Sequence, residues 1–166
     1  MSEFLVRAAR LDDRETIVEF NCRLAEETEG LRLDRATVTA GVEAVLADVS
    51  KGRYFVACRK DREQPVGQLM HTREWSDWRN GDLWWLQSVY VVPDCRRLGV
   101  FRLLYDHALE AARGAPQVVG VRLYVEQHNA AAQDAYRRLG MREAGYLVME
   151  RIFREQGVEK EDRHSQ

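Results

Sequence analysis

An α/β fold, a mixed sheet flanked by helices, is the class that this chain of 166 residues predicts. Three stretches predict it. In the first, Ser88 to Leu104, an apolar strand stops at Pro93, which cannot donate to a sheet ladder. Gly99 then opens a run with apolar residues at Val100, Leu103, Leu104, Ala108 and Ala111, which is helical spacing. The second is Val121 to Glu126, which alternates as a half-buried strand does, followed by Ala132, Ala135, Tyr136 and Leu139 at helical spacing. The third is the N-terminal half, where strand and helix periods follow one another.

Taken in order, Phe4 to Ala8 reads as a strand. Asp12 with Glu15 three residues on forms a capping-box-like start for a helix whose face is Ile17, Phe20 and Leu24. Asp34 caps a second helix with apolar positions Val38, Val42, Val45, Leu46 and Val49. Tyr54 to Arg59 is a strand, Asp61 to Pro65 a polar turn, and Val66 to Thr72 the returning strand. Glu74 to Asp82 reads as a loop carrying Trp75 and Trp78, and Leu83 to Val92 as a long strand. The helix after Gly99 runs to about Arg113, where Gly114-Ala115-Pro116 breaks it. Asn129 caps the next helix, Gly140 stops it, and Leu147 to Phe153 reads as a last strand. Residues 1–155 form one domain in this reading, and Gln156 to Gln166 is a charged, frayed tail.

The segment around Gly99 carries the chemistry. Strand, basic turn, glycine and helix present free backbone N–H groups and a positive helix end to a phosphate. Arg96 and Arg97 add fixed charge, and Gly99 permits close backbone approach. Many such units carry a glycine and a surface arginine without any ligand, so the segment alone leaves both readings open.

Two motifs in sequence resemble the signature of the GNAT acetyltransferase superfamily. The first is Val91-Val92-Pro93 followed by Arg96-Arg97-Leu98-Gly99-Val100-Phe101, with Phe101 where the family usually has a small residue. The second is Asn129, Tyr136 seven positions on, Gly140, and Met141 where Phe is commoner. The resemblance covers roughly the whole chain up to the tail. It implies a GNAT-like fold, with a mixed central sheet split beside its central strand, and acetyl-CoA as acetyl donor. It also implies that backbone groups of Val89 and Val91 pair with the pantetheine arm, and that an N–H near Tyr90 polarises the thioester carbonyl. The turn Arg96, Arg97, Leu98, Gly99, Val100, Phe101 and Arg102 then holds the pyrophosphate, with Asn129 and Tyr136 completing the cofactor site. Tyr136 takes the role of general acid to the departing thiolate.

Composition sets the class of partner. The chain is 45% hydrophobic and 31% charged, as a soluble globular protein is, and its net charge of −2 gives a nucleic-acid partner no electrostatic support. No leader peptide and no long apolar run is evident, which predicts a cytoplasmic protein with no membrane partner. Cys22, Cys58 and Cys95 are far apart, odd in number and without metal spacing. They read as packing residues in a reducing compartment, with Cys95 in the basic turn open to a reactive role. No metal site is expected.

The reaction that the resemblance implies is acetyl transfer to a primary amine by direct attack in a ternary complex. An ammonium is not nucleophilic, so a base is required. Gln87 stands where the family often has a glutamate and cannot accept a proton. Glu126, Glu74 and His128 are alternatives, and the base stays unassigned. For the acceptor, Glu26, Glu27 and Glu29 form an acidic cluster, and Trp75 and Trp78 supply aromatic faces, which suits a small cationic amine. A protein lysine or N-terminus is the other acceptor class, and a homodimer is a compatible assembly. Two rivals stand beside the enzyme: a non-catalytic acetyl-CoA sensor, which Gln87 favours, and a module binding another phosphorylated ligand through Arg96 and Arg97.

Overall fold

The computed structural model describes residues 3–154 and the backbone of 158–160. Five strands form the main sheet: β1 (Phe4–Ala8), β3 (Arg53–Arg59), β4 (Pro65–Ser76), β5 (Gly81–Val91) and β6 (Val118–Leu123), in the order β1-β3-β4-β5-β6. The first three pairings are antiparallel, and β5 with β6 is parallel. A parallel pair needs a crossover, and α3 (Val100–Arg113) supplies it. The sheet is thus mixed and flanked by helices, as the sequence predicts.

Each face of the sheet has its own core. On one, Val100, Leu104, Tyr105 and Ala108 of α3 pack with Phe55, Leu69 and Leu86. Burying a side chain such as Leu104 stabilises the fold by roughly 1.5–3 kcal/mol. On the other, α1 (Arg14–Glu29) and α2 (Arg35–Ala47) bring Ile17, Val18 and Val42 onto Tyr54, Val56 and Cys58. The Asp34 cap forms as expected, its carboxylate accepting the Thr37 N–H at 2.9 Å. A last helix, α4 (Ala130–Arg138), starts at Asn129, whose side chain accepts the Ala132 N–H at 3.0 Å, and ends before Gly140, at φ 86°.

Four expectations are corrected. The box at the start of α1 is closed by Asp13, not Asp12: a short turn at Leu11–Asp13 precedes the helix, and the Asp13 carboxylate takes the Arg10 N–H at 2.7 Å and two bonds from Arg7. The segment from Glu74 to Asp82 is no loop. Pairs Glu74↔Leu83, Trp75↔Asp82 and Ser76↔Gly81 extend the hairpin, and only Asp77 to Asn80 turn. The strand placed at Val121 to Glu126 is Val118–Leu123: its ladder with β5 begins at Asp82↔Val118 and ends at Leu86↔Leu123, short of the end of β5. Leu147 to Phe153 is not a strand: Leu147 is 93% and Met149 92% exposed, and no neighbouring ladder takes this stretch among the described residues. Of the tail at 156–166, Val158–Lys160 form β7, paired with β2 (Leu31–Leu33), and the other residues lie outside those described.

Candidate functional site

The parallel ladder between β5 and β6 ends at Leu86↔Leu123, while β5 continues to Val91. From Gln87 onward the β6 side of β5 has no strand beside it among the described residues, and the sheet splits there. Opposite β4, Gln87 to Tyr90 on β5 faces only Gln68 to Met70, so β5 carries one extra residue, a bulge. Ser88 sits in it at φ 51°, a left-handed conformation that a non-glycine residue adopts only under constraint.

At the end of β5 the chain makes a short turn at Pro93–Cys95 and enters α3 through Arg97, at φ 63°, and Gly99, at φ 84°. No side chain caps α3, so its first N–H groups are unclaimed. A Cβ on Gly99 would meet nothing within 4 Å. The open space is a cavity of about 270 Å³ lined by Val91, Cys95, Arg96, Arg97, Gly99, Val100, Phe101 and Arg102. A second hollow of about 540 Å³, with Leu98, Gly99, Arg102 and Glu3 on its walls, adjoins the same turn. The uncapped helix end, the glycine and two cavities fit a phosphate-bearing ligand.

The two arginines behave differently. Arg97 is exposed and makes no ion pair or hydrogen bond with another described residue. Arg96 is committed: its Nε donates to the Val91 carbonyl at 2.9 Å, its Nη2 to Glu27 at 2.5 Å, and its guanidinium lies over the Tyr90 ring. The Tyr90 hydroxyl donates to the same carboxylate at 3.0 Å. Partial burial acts to raise the Glu27 carboxyl, but Arg96 and Tyr90 outweigh it and hold Glu27 below its ordinary value. Glu27 thus clamps α1 to the turn, while Glu26 and Glu29 are left exposed. Arg102 pairs with Asp106 at 2.7 Å.

Tyr136 of α4 meets Phe101 of α3 edge-on, ring centroids 5.7 Å apart. Phe101 therefore forms a wall that fixes the Tyr136 ring. Burial, then the neighbouring Tyr105, raises the Tyr136 hydroxyl above the ordinary tyrosine value, so it keeps its proton at neutral pH. Gln87 donates to Thr72 Oγ1 at 2.8 Å. Glu74 is held by Trp85 and Arg122, whereas Glu126 accepts the His128 N–H at 2.7 Å at an exposed turn. Trp75 and Trp78 lie toward the far end of the hairpin, Trp78 at its tip and 85% exposed, and the tip is roughly 20 Å along β5 from the bulge at strand rise. The fold does not bring them to the turn. Cys95 is buried in the core with its Sγ 3.5 Å from Arg59, which removes it as an accessible thiol. Among the described residues no cluster suits a metal ion, and no helix is long and apolar enough to cross a membrane.

Residues that the sequence reading passed over converge on the bulge. Gln68, fully buried, donates to the Asn21 side chain at 2.8 Å and to the Ser88 carbonyl at 3.1 Å. Asn21 donates to the Tyr54 hydroxyl at 3.1 Å. A glutamine inside the apolar run Val66 to Met70 was the available signal. Gly67 beside it is closely packed: a Cβ would stand 3.0 Å from the Tyr90 carbonyl and 3.2 Å from Val100, so its neighbours would have to give by a few tenths of an ångström.

A split mixed sheet, a bulged central strand and an uncapped helix behind a glycine turn make a frame suited to a phosphorylated ligand, and the class of protein that has this frame is the acetyltransferases. Comparison with known proteins agrees. The family model described as Acetyltransferase (GNAT) family matches residues 18–141, and the chain belongs to that family and is an N-acetyltransferase. It is 26% identical over 140 residues to the peptidyl-lysine N-acetyltransferase YjaB of Escherichia coli K12, which covers 84% of this chain and 83% of that one. The structure of a possible acetyltransferase from Clostridium difficile 630 is similar at TM-score 0.85 and 43% identity, covering 93% of this chain and all of that one. Glucosamine-6-phosphate N-acetyltransferase from Arabidopsis thaliana, 15% identical, shares the fold at TM-score 0.69 over 91% of this chain and 99% of its own.

Proposed function

We propose that this protein transfers the acetyl group of acetyl-CoA to a primary amine in a ternary complex. The observation that carries the reading is the β5 edge, unpaired on its β6 side from Gln87 to Val91 and ending at the uncapped start of α3. Bound there, acetyl-CoA supplies an activated acetyl thioester, whose carbonyl carbon bonds to the amine nitrogen as the C–S bond breaks. The α3 N–H groups, Gly99 and Arg97 hold the pyrophosphate. Backbone groups of Val89 and Val91 orient the pantetheine arm, and the Val89 N–H, next to Tyr90, polarises the carbonyl. Arg96 Nε donates to the Val91 carbonyl, which has a second lone pair to offer the arm. Tyr136 donates its proton to the departing sulfur, and Asn129 sets the start of the helix that carries Tyr136. The amine's own proton leaves through a group that stays unassigned.

A small cationic amine is the acceptor in this reading, supported by the exposed Glu26 and Glu29 at the end of α1. A peptide lysine is the second reading, favoured by the likeness to the lysine acetyltransferase of Escherichia coli. The setting is cytoplasmic, and the assembly is a homodimer, a reading supported by the exposed apolar residues Leu147, Met149 and Phe153. One assay tests the activity. Acetyl-CoA should raise the melting temperature, because a ligand that binds only the folded state stabilises it. Free CoA thiol should then appear with one class of a panel of small amines, polyamines and lysine peptides. No thermal shift and no thiol release with any amine would overturn the reading.

A further inference from the structure

Three elements reach the bulge of β5 through one hydrogen-bonded chain. Asn21 comes from α1, Tyr54 from β3 and Gln68 from β4, and the chain ends on the carbonyl of Ser88. The direction of the Gln68 amide is dictated by its partner: a backbone carbonyl only accepts, so the NH₂ group must face Ser88. Its Oε1 is left buried with no partner.

That arrangement is a poor way to stabilise a core. A leucine would fill the same interior without stranding a polar atom, and an unpaired buried oxygen is costly. The amide instead acts on Ser88, whose left-handed φ of 51° is disfavoured for any residue with a side chain. Holding the Ser88 carbonyl on the β4 side fixes the peptide plane that follows, and with it the direction of the Val89 N–H toward the split edge.

We propose that Gln68, braced by Asn21 and Tyr54, is a positioning residue for the reaction: it holds Ser88 in the left-handed conformation that aims the Val89 N–H at the thioester carbonyl. This inference rests on the acetyltransferase reading above. Gln68 acts through the backbone of β5 and touches neither acetyl-CoA nor the amine.

The test uses the full chain with three variants: Gln68→Leu, Ser88→Gly, and both together. Gln68→Leu is expected to lower kcat about tenfold to hundredfold, part of the usual effect of losing one oxyanion donor. Affinity for acetyl-CoA should stay within about threefold, because the pyrophosphate turn is untouched. Glycine adopts left-handed conformations without the tether, so the double variant should regain most of the lost kcat. Backbone NMR of the free protein gives a readout independent of turnover. The Val89 and Tyr90 amide resonances should shift in Gln68→Leu and return toward wild type in the double variant. Wild-type kcat in Gln68→Leu, or a loss that Ser88→Gly does not restore, overturns the proposal, as do unmoved Val89 and Tyr90 resonances. If wild type itself releases no thiol with any amine, the acetyltransferase reading has failed and the tether's role falls with it.

Discussion

Arg96 and Arg97 are adjacent in sequence and identical in chemistry, yet the fold gives them different tasks. Arg96 is spent on Glu27, the Val91 carbonyl and the Tyr90 ring, whereas Arg97 has no partner among the described residues. Arg97→Ala should therefore raise the acetyl-CoA KM by about 10- to 100-fold, the worth of one ionic hydrogen bond of 1.5–3 kcal/mol, and leave the melting temperature of the free protein unchanged. Arg96→Ala should lower the melting temperature as well, because it frees the Glu27 carboxylate and loosens α1 from the turn. Kinetics and thermal melts of both variants check this split. An Arg97→Ala enzyme with wild-type KM would make Arg97 a surface charge. Nothing in the sequence separates the pair, because Glu27 lies sixty-nine residues away and only the fold brings it to Arg96.

At the level of elements, the sequence was most legible where a local rule fixes the chain. The helix caps at Asp34 and Asn129 and the α3 face from Val100 to Ala108 needed no tertiary knowledge. The turn at Gly99 could be read for the same reason, since its glycine and basic residues are consecutive. Strand ends could not be read so. The hairpin tip, the start of β6 and the fate of Leu147 to Phe153 depend on whether a neighbouring ladder exists, and periodicity does not carry that information. The bulge at Ser88 was invisible for the same reason, and the only sign of Gln68 was a glutamine inside an apolar run. Tyr136 shows both sides: its helical position was legible, but the edge-on contact that fixes it needs α4 laid against α3 at Phe101. With its proton retained by burial, Tyr136 suits an acid. Tyr136→Phe keeps the ring and the Phe101 contact, so kcat should fall roughly 10²- to 10⁴-fold with acetyl-CoA affinity unchanged. Near-wild-type kcat under chemistry-limited conditions would reduce Tyr136 to packing between the two helices.

The molecule as a whole has a pH dependence set by one buried ring. His71 lies in the sheet with its imidazole stacked on Trp84 at 3.6 Å and facing Phe55. Burial, and then the charges of Arg73 and Arg53, lower its pKa from 6.5 to about 4. The unfolded chain therefore binds a proton below about pH 6.5 that the folded chain refuses until about pH 4. Stability is full above the upper value and falls as the pH drops through this window, by roughly 3 kcal/mol in all at 1.36 kcal/mol per pH unit. For a chain of this size that is about 10 °C of melting temperature. Carboxylates act lower down. Asp13 is raised by burial but pulled below 3.8 by Arg7 and the Arg10 N–H, so its contribution is present above that value and is lost only as the pH falls through its folded pKa. Glu27, lowered from 4.5, begins to contribute only at the bottom of the His71 window, so most of that window belongs to His71. Melting curves between pH 7.5 and 4.5 should show the decline in wild type, and His71→Phe, which keeps an aromatic ring against Trp84 but cannot titrate, should flatten it. An equal slope in the two proteins would place the acid sensitivity elsewhere, on groups that the sheet does not bury.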